Sequence, residues 1–215
     1  MALAMSAGVA AGFAKTYFAK SFFHTPAIPF WVHVHGAVFT AWMVFYVLQN
    51  LLAMNGRMYT HRNLGIVGLV LAIGVVCFGI AVTVRQVRLG RWFPFPDAYS
   101  DLAVSTAQMA LFAVFIGTGL WLRRDAETHK RLILMSSQLF FFPAFGRALG
   151  GINAVTLLLA LCFYFAGPVY DRIMRGHVHR AYKWGVAGLI LTMPPFSVFA
   201  SHLPLWRRFV DWAVL

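Results

Sequence analysis

The sequence predicts an all-α fold, a polytopic bundle of transmembrane helices, and three observations carry that prediction. The 215 residues are 60% hydrophobic and only 11% charged, against about 25% charged in an ordinary soluble domain. Six apolar runs approach the roughly 20 residues that a helix needs to cross hydrocarbon. Strand-like alternation punctuated by turns about every ten residues, the mark of a membrane barrel, is missing.

The runs are Trp31–Met54, Leu64–Val84, Leu102–Leu122, Leu132–Leu149, Ile152–Val169 and Trp184–Ser201. Their breaks are Asn55-Gly56-Arg57, the stretch Arg85–Ser100 with Pro94 and Pro96, Arg123–Lys130, Gly150-Gly151 and Asp171–Lys183. Proline removes a backbone donor and crowds the preceding turn, so Pro143 in the fourth run and Pro194-Pro195 in the sixth predict kinks. Carbonyls freed in lipid need protein or water, which turns those kinks toward the bundle. Residues 1–14 are apolar without a preceding Lys or Arg, so Met1–Phe18 reads as a short membrane or interfacial helix rather than a signal peptide. The tail Leu205–Leu215, with Trp206, Arg207, Arg208 and Trp212, reads as an interfacial anchor. The expectation is one domain over 1–215, with a six-helix core at 31–201 and the tail at 203–215.

Eighteen Lys plus Arg against six Asp plus Glu give +12. These cations sit in connectors between apolar runs, where anionic headgroups attract them. The expected partner is therefore the lipid bilayer and not nucleic acid. Connectors after the first, third and fifth runs hold ten basic residues and the other side eight. By the positive-inside rule the first set faces the cytoplasm of a bacterial inner membrane. Cys77 and Cys162 form no CxxC or metal spacing and read as small buried hydrophobes.

Eight histidines divide evenly between the two ends: His61, His129, His177 and His179 at one, His24, His33, His35 and His202 at the other. A two-haem electron conduit needs paired imidazoles near each face, and a metal site needs similar convergence. His35 shares a heptad stripe with Trp42 and Gln49, the face expected inside the bundle, whereas His33 points elsewhere. Asp101, Ser105 and Gln108 form a second polar stripe at i, i+4 and i+7, and Arg147 lies at a similar depth where it could pair with Asp101. The plainer readings are headgroup anchoring for His61, His129 and His179, and interhelical hydrogen bonding for His35 and the Asp101 stripe. The motifs Thr60-His61-Arg62, Thr128-His129-Lys130 and Val178-His179-Arg180 each precede an even-numbered run, a weak threefold repeat of a helical hairpin. Phosphate loops, nucleophile elbows and HExxH zinc helices are missing, so no enzyme class is assigned.

Several segments resemble a family of uncharacterised bacterial multi-pass membrane proteins: Gly12-Phe13-Ala14-Lys15-Thr16-Tyr17, His33-Val34-His35-Gly36 followed by Trp42 and Gln49, and His61-Arg62-Asn63-Leu64-Gly65. Thr128-His129-Lys130-Arg131-Leu132 and Tyr170-Asp171-Arg172 with His179 extend the likeness over nearly the whole chain. It implies a fold in which Met1–Phe18 is a shortened first helix, making seven. The His61–Gly65 run is also similar to haem A synthase and other b-type cytochromes, where such a run opens a helix beside haem. With the histidines placed at both ends, the expectation is haem b or a transition metal held by His35, His61, His129 and His179, with Arg62 and Arg180 for propionates, in electron transfer or cofactor handling. The alternatives are a non-catalytic accessory or assembly subunit, in a larger membrane complex or a homo-oligomer, and a small-solute transporter, each with no cofactor.

Overall fold

The computed structural model describes residues 2–23, 27–92, 95–151 and 153–214, and every described element is helical. His24, Pro94 and the Ile152 start of the fifth run lie outside the described residues. Without water to satisfy backbone groups, an apolar run closes its own hydrogen bonds as helix. Among the described residues, four continuous stretches are long and apolar enough to cross a membrane. They are α2 (Phe30–Met54), α4 (Gly65–Arg88), α5 (Ala98–Trp121) and α8 (Ala154–Arg175). A short helix, α3 (Met58–Asn63), runs into α4 through Leu64, so the first connector is itself helical. The Asp97 carboxylate accepts from Ser100 N–H to start α5, and Asn153 does the same for Thr156 in α8. Gly176, at φ +74°, closes α8 in the left-handed conformation that glycine adopts freely.

The fourth and sixth runs, where prolines predict kinks, are each divided into two helices. The fourth divides into α6 (Ala126–Gln138) and α7 (Phe141–Ala148), the sixth into α9 (Arg180–Leu191) and α10 (Pro194–Ser201). The fourth breaks at Leu139–Phe140, upstream of Pro143, because a proline N cannot serve the carbonyl four residues earlier. Pro143 then occupies the first turn of α7, where an N–H is dispensable. Pro194 opens α10 for the same reason. Side chains meet the carbonyls around both breaks. Thr192 Oγ1 donates to Leu189 O at 3.0 Å and Ser197 Oγ to Thr192 O at 3.3 Å. Ser136 Oγ donates to Ile133 O at 2.8 Å, and buried Gln138 donates to Phe163 O at 2.5 Å.

Of the broken pairs, α6 and α10 pack along α5. Gly119 packs on Leu132 and Ile133, Phe112 stacks on Phe140 at 5.6 Å, and Ser201 Oγ meets Ser100 Oγ at 3.1 Å. The N-terminal α1 (Ala2–Phe13), continued by a π-helical turn at Ala14–Phe18, lies along α7. Their backbones touch at Gly12, where a Cβ would stand 2.8 Å from the Ala144 main chain. Such small-residue approaches do the work in lipid that burial from water does in a soluble core.

The outer surface is apolar, with Ile66, Val70, Val114, Leu158 and Ile173 exposed along the helices, and Trp31, Trp121, Trp184 and Trp212 near the ends. This is the surface of an integral membrane protein with interfacial aromatics. Cys77 and Cys162 are exposed on it and not buried. The connectors 55–64, 122–130 and 172–183 gather at one end, called here the basic end. At the other, the open end, α11 (Pro204–Ala213) folds back on α4 and α5. Val210 joins Val87, Ala98 and Leu102 in a small cluster, while Trp206 Nε1 donates to Tyr99 O and Arg88 to Val214 O.

Candidate functional site: an intramembrane cavity and two histidines

A cavity of about 730 Å³ occupies the open half of the bundle, between α1, the π-helical turn, α2, α4, α5 and α7. His35, Asp101, Ser105, Gln108 and Arg147 all line it. His33, two residues from His35, is exposed, and its carbonyl accepts from the Tyr17 hydroxyl. The His35 ring packs on Phe39 at 4.1 Å, and its Nδ1 is buried without a partner. Two further buried hydroxyls of cavity-lining residues, Ser6 Oγ and Thr16 Oγ1, also have no partner. Only five such atoms occur among the described residues, and three of them belong to residues that line this cavity.

Asp101 and Arg147 share the cavity but form no ion pair within 4.0 Å among the described residues, against expectation. Asp101 accepts from Ser105 Oγ at 3.3 Å. Arg147 donates to Pro143 O at 3.3 Å, one turn back, and its guanidinium lies 5.2 Å from the Phe13 ring centre. The short α7 and the N-terminal segment thus hold Arg147 away from the carboxylate and leave it facing the space between. Ser6, Thr16 and Phe13 belong to a segment read from sequence as a short membrane or interfacial helix, with no site assigned to it. The small polar residues Ser6 and Thr16 in an otherwise apolar stretch were the signal.

The predicted inner stripe of α2 spans both ends. Trp42, 4% exposed, donates to Ser137 Oγ at 3.2 Å and packs on Phe112. Gln49 reaches the basic end, where its Nε2 donates to His61 O at 3.3 Å. There the structure brings His61 and His129 together, ring centres 6.4 Å apart and planes nearly perpendicular. His61 Nδ1 bonds Gln49 O at 3.3 Å and His129 Nδ1 bonds Gly119 O at 2.8 Å. His179 stands apart as the N-cap of α9, its Nδ1 accepting from Ala181 N–H. Arg62 and Arg180 are exposed and do not line the cavity. His177 and His202 are exposed as well. Among the described residues no group of three or more His, Cys, Asp or Glu is placed to hold a metal ion.

An ionic cluster that the sequence did not signal locks the basic end. Arg131, 2% exposed, forks onto both Asp171 oxygens at 2.9 and 2.6 Å, and also pairs with Glu127 at 2.6 Å. Arg175 and Lys130 share Glu127, and Arg131 lies 5.4 Å from the Tyr182 ring centre. Hydrogen bonds from Lys130 and then Arg131 hold the Glu127 carboxyl down at about 2. The Thr128 hydroxyl and N–H lower Asp125, which caps α6. Burial lowers the pKa of His129.

No family model, curated protein or solved structure matches the chain.

Proposed function

We propose that the protein binds an amphipathic ligand within the membrane, in the open-half cavity, with an anionic group set against Arg147. The observation that carries this reading is that three unpartnered buried polar atoms, on Ser6, Thr16 and His35, belong to residues lining a cavity that Arg147 also lines. An unmet buried polar group costs about 1–3 kcal/mol, so three around one cavity favour a ligand that completes them. The volume falls in the range of cofactor and drug-sized sites, and the remaining wall is apolar.

Haem b has this chemistry, with an apolar macrocycle and two carboxylates. The cavity offers it one imidazole, His35, a guanidinium for a propionate, Arg147, and the thioethers of Met43 and Met109. Bound there, haem would supply one-electron chemistry, and Arg147 would set its orientation. A transporter reading asks that both broken helices line a polar cavity. Residues of α7 do so and those of α9 and α10 do not, which supports binding over translocation.

The test is the composition of the protein purified in mild detergent, read by visible spectrum and by mass spectrometry of the intact complex. A bound acidic amphiphile, reduced at least tenfold in occupancy by Arg147→Gln, is the expected result. A Soret band that His35→Ala abolishes identifies haem b. A wild-type protein that carries nothing, and retains neither haem nor acidic lipid when supplied with them, overturns the reading.

A further inference from the structure

We infer that His61 and His129 together form a two-coordinate site for monovalent copper at the basic end of the bundle. The argument begins with their hydrogen bonds. Each Nδ1 faces a main-chain carbonyl, of Gln49 and of Gly119, and a carbonyl can only accept. Each Nδ1 therefore carries the proton, and a neutral imidazole has only one. Both Nε2 atoms are left as bare lone pairs, the form that binds metals.

This carbonyl bond on the far ring nitrogen is what orients and strengthens histidine ligands in metal sites. Gln49 holds His61 doubly, since its Nε2 also bonds the His61 carbonyl. Gly119 holds His129 from the end of α5. Metal–imidazole bonds of about 2 Å, added to the radii of two rings, place ring centres about 6 Å apart in a linear arrangement. The observed separation is 6.4 Å, and the perpendicular planes let the rings approach without clashing. Burial favours the neutral ring at His129.

The ligand count selects the ion. No third His, Cys, Asp or Glu joins the pair among the described residues, and Cys77 and Cys162 are exposed within α4 and α8. Zinc takes four ligands and octahedral ions six. Monovalent copper, with a filled d shell, is content with two imidazoles in line. The site lies at the end of the molecule opposite the cavity and stands independently of what the cavity binds.

The experiment uses the full chain in detergent under anaerobic, reducing conditions, with copper supplied as its bicinchoninate complex so that the chelator competes. We expect one copper per chain, with an X-ray absorption edge and shell of two nitrogen neighbours and no sulfur. His61→Ala and His129→Ala should each weaken retention on the order of 100-fold, while His177→Ala leaves it unchanged. His129→Met guards against simple misfolding: it should keep the copper with one nitrogen and one sulfur neighbour. Equal copper in the wild type and the double alanine variant overturns the assignment. So does a wild-type shell containing sulfur or more than two ligands, or a His129→Met protein of unchanged elution profile that binds none.

Discussion

The two ends of this bundle treat their polar groups in opposite ways. At the basic end the buried charges are paired: Arg131 is saturated by Asp171 and Glu127, and Arg175 and Lys130 share the same glutamate. At the open end Arg147 and Asp101 line one cavity without pairing, beside three polar atoms that bond to nothing. A satisfied network fixes a geometry, whereas an unsatisfied one stores a demand that a ligand can meet. The basic end is accordingly the clamp of the fold, and the open end its receptive part.

The sharpest way to break this contrast is to remove one half of the clamp. Arg131→Met takes from Asp171, 3% exposed, its bidentate partner and leaves it only Arg175 at 3.7 Å and the His179 N–H, which should cost about 3 kcal/mol. The double variant Arg131→Met with Asp171→Leu should recover most of it, as a thermal unfolding series in one detergent would show. Next in size, Gly12→Val drives a branched side chain into the Ala144 backbone, and overpacking of this kind costs about 1–3 kcal/mol. Because α1 is a wall of the cavity, the same variant should also lower ligand occupancy.

Smaller and opposite in sign, Thr16→Val removes a hydroxyl that has no partner. It should raise the stability of ligand-depleted protein by up to about 1 kcal/mol and weaken ligand retention. A loss of stability in depleted protein would mean that the open end is as satisfied as the basic one.

The smallest effect is the pH response of Glu127. Its carboxyl is held at about 2 against an ordinary 4.5, so between those values the unfolded chain binds more protons than the fold. Its contribution is complete above about pH 4.5 and is lost as the pH falls toward 2. The side chain is 42% exposed, and solvent screening keeps the effect under about 1 kcal/mol. Glu127→Gln should flatten the dependence of the denaturation midpoint on pH in that window. His129, lowered by burial, adds a loss that begins higher, as the pH drops below about 6.5.

Much of the fold was legible because lipid imposes a simple rule on composition, so each apolar run became helix. The sites of the breaks were legible only in part. Pro194 marks its break to the residue, but the fourth run opens at Leu139–Phe140, since the cost of Pro143 falls on the preceding turn. On α2, heptad spacing sufficed to separate His35 from His33. The Arg131–Asp171 pair was not legible, because the two residues lie 40 positions apart in connectors already full of cations. Nothing local distinguishes the buried arginine from its exposed neighbours Arg123 and Arg124. The cavity was also beyond reach of spacing alone, because its wall includes a segment whose only markers are Ser6 and Thr16.

The two broken helices have a consequence for how the chain enters the bilayer. Insertion machinery releases a segment into lipid when about 20 continuous apolar residues offer themselves. The halves of 13 and 8 residues, and of 12 and 8, fall short of that individually. They should be held back during synthesis until α5 and α8 stand ready to receive them, so that biogenesis of this protein proceeds by helix pairs rather than one helix at a time.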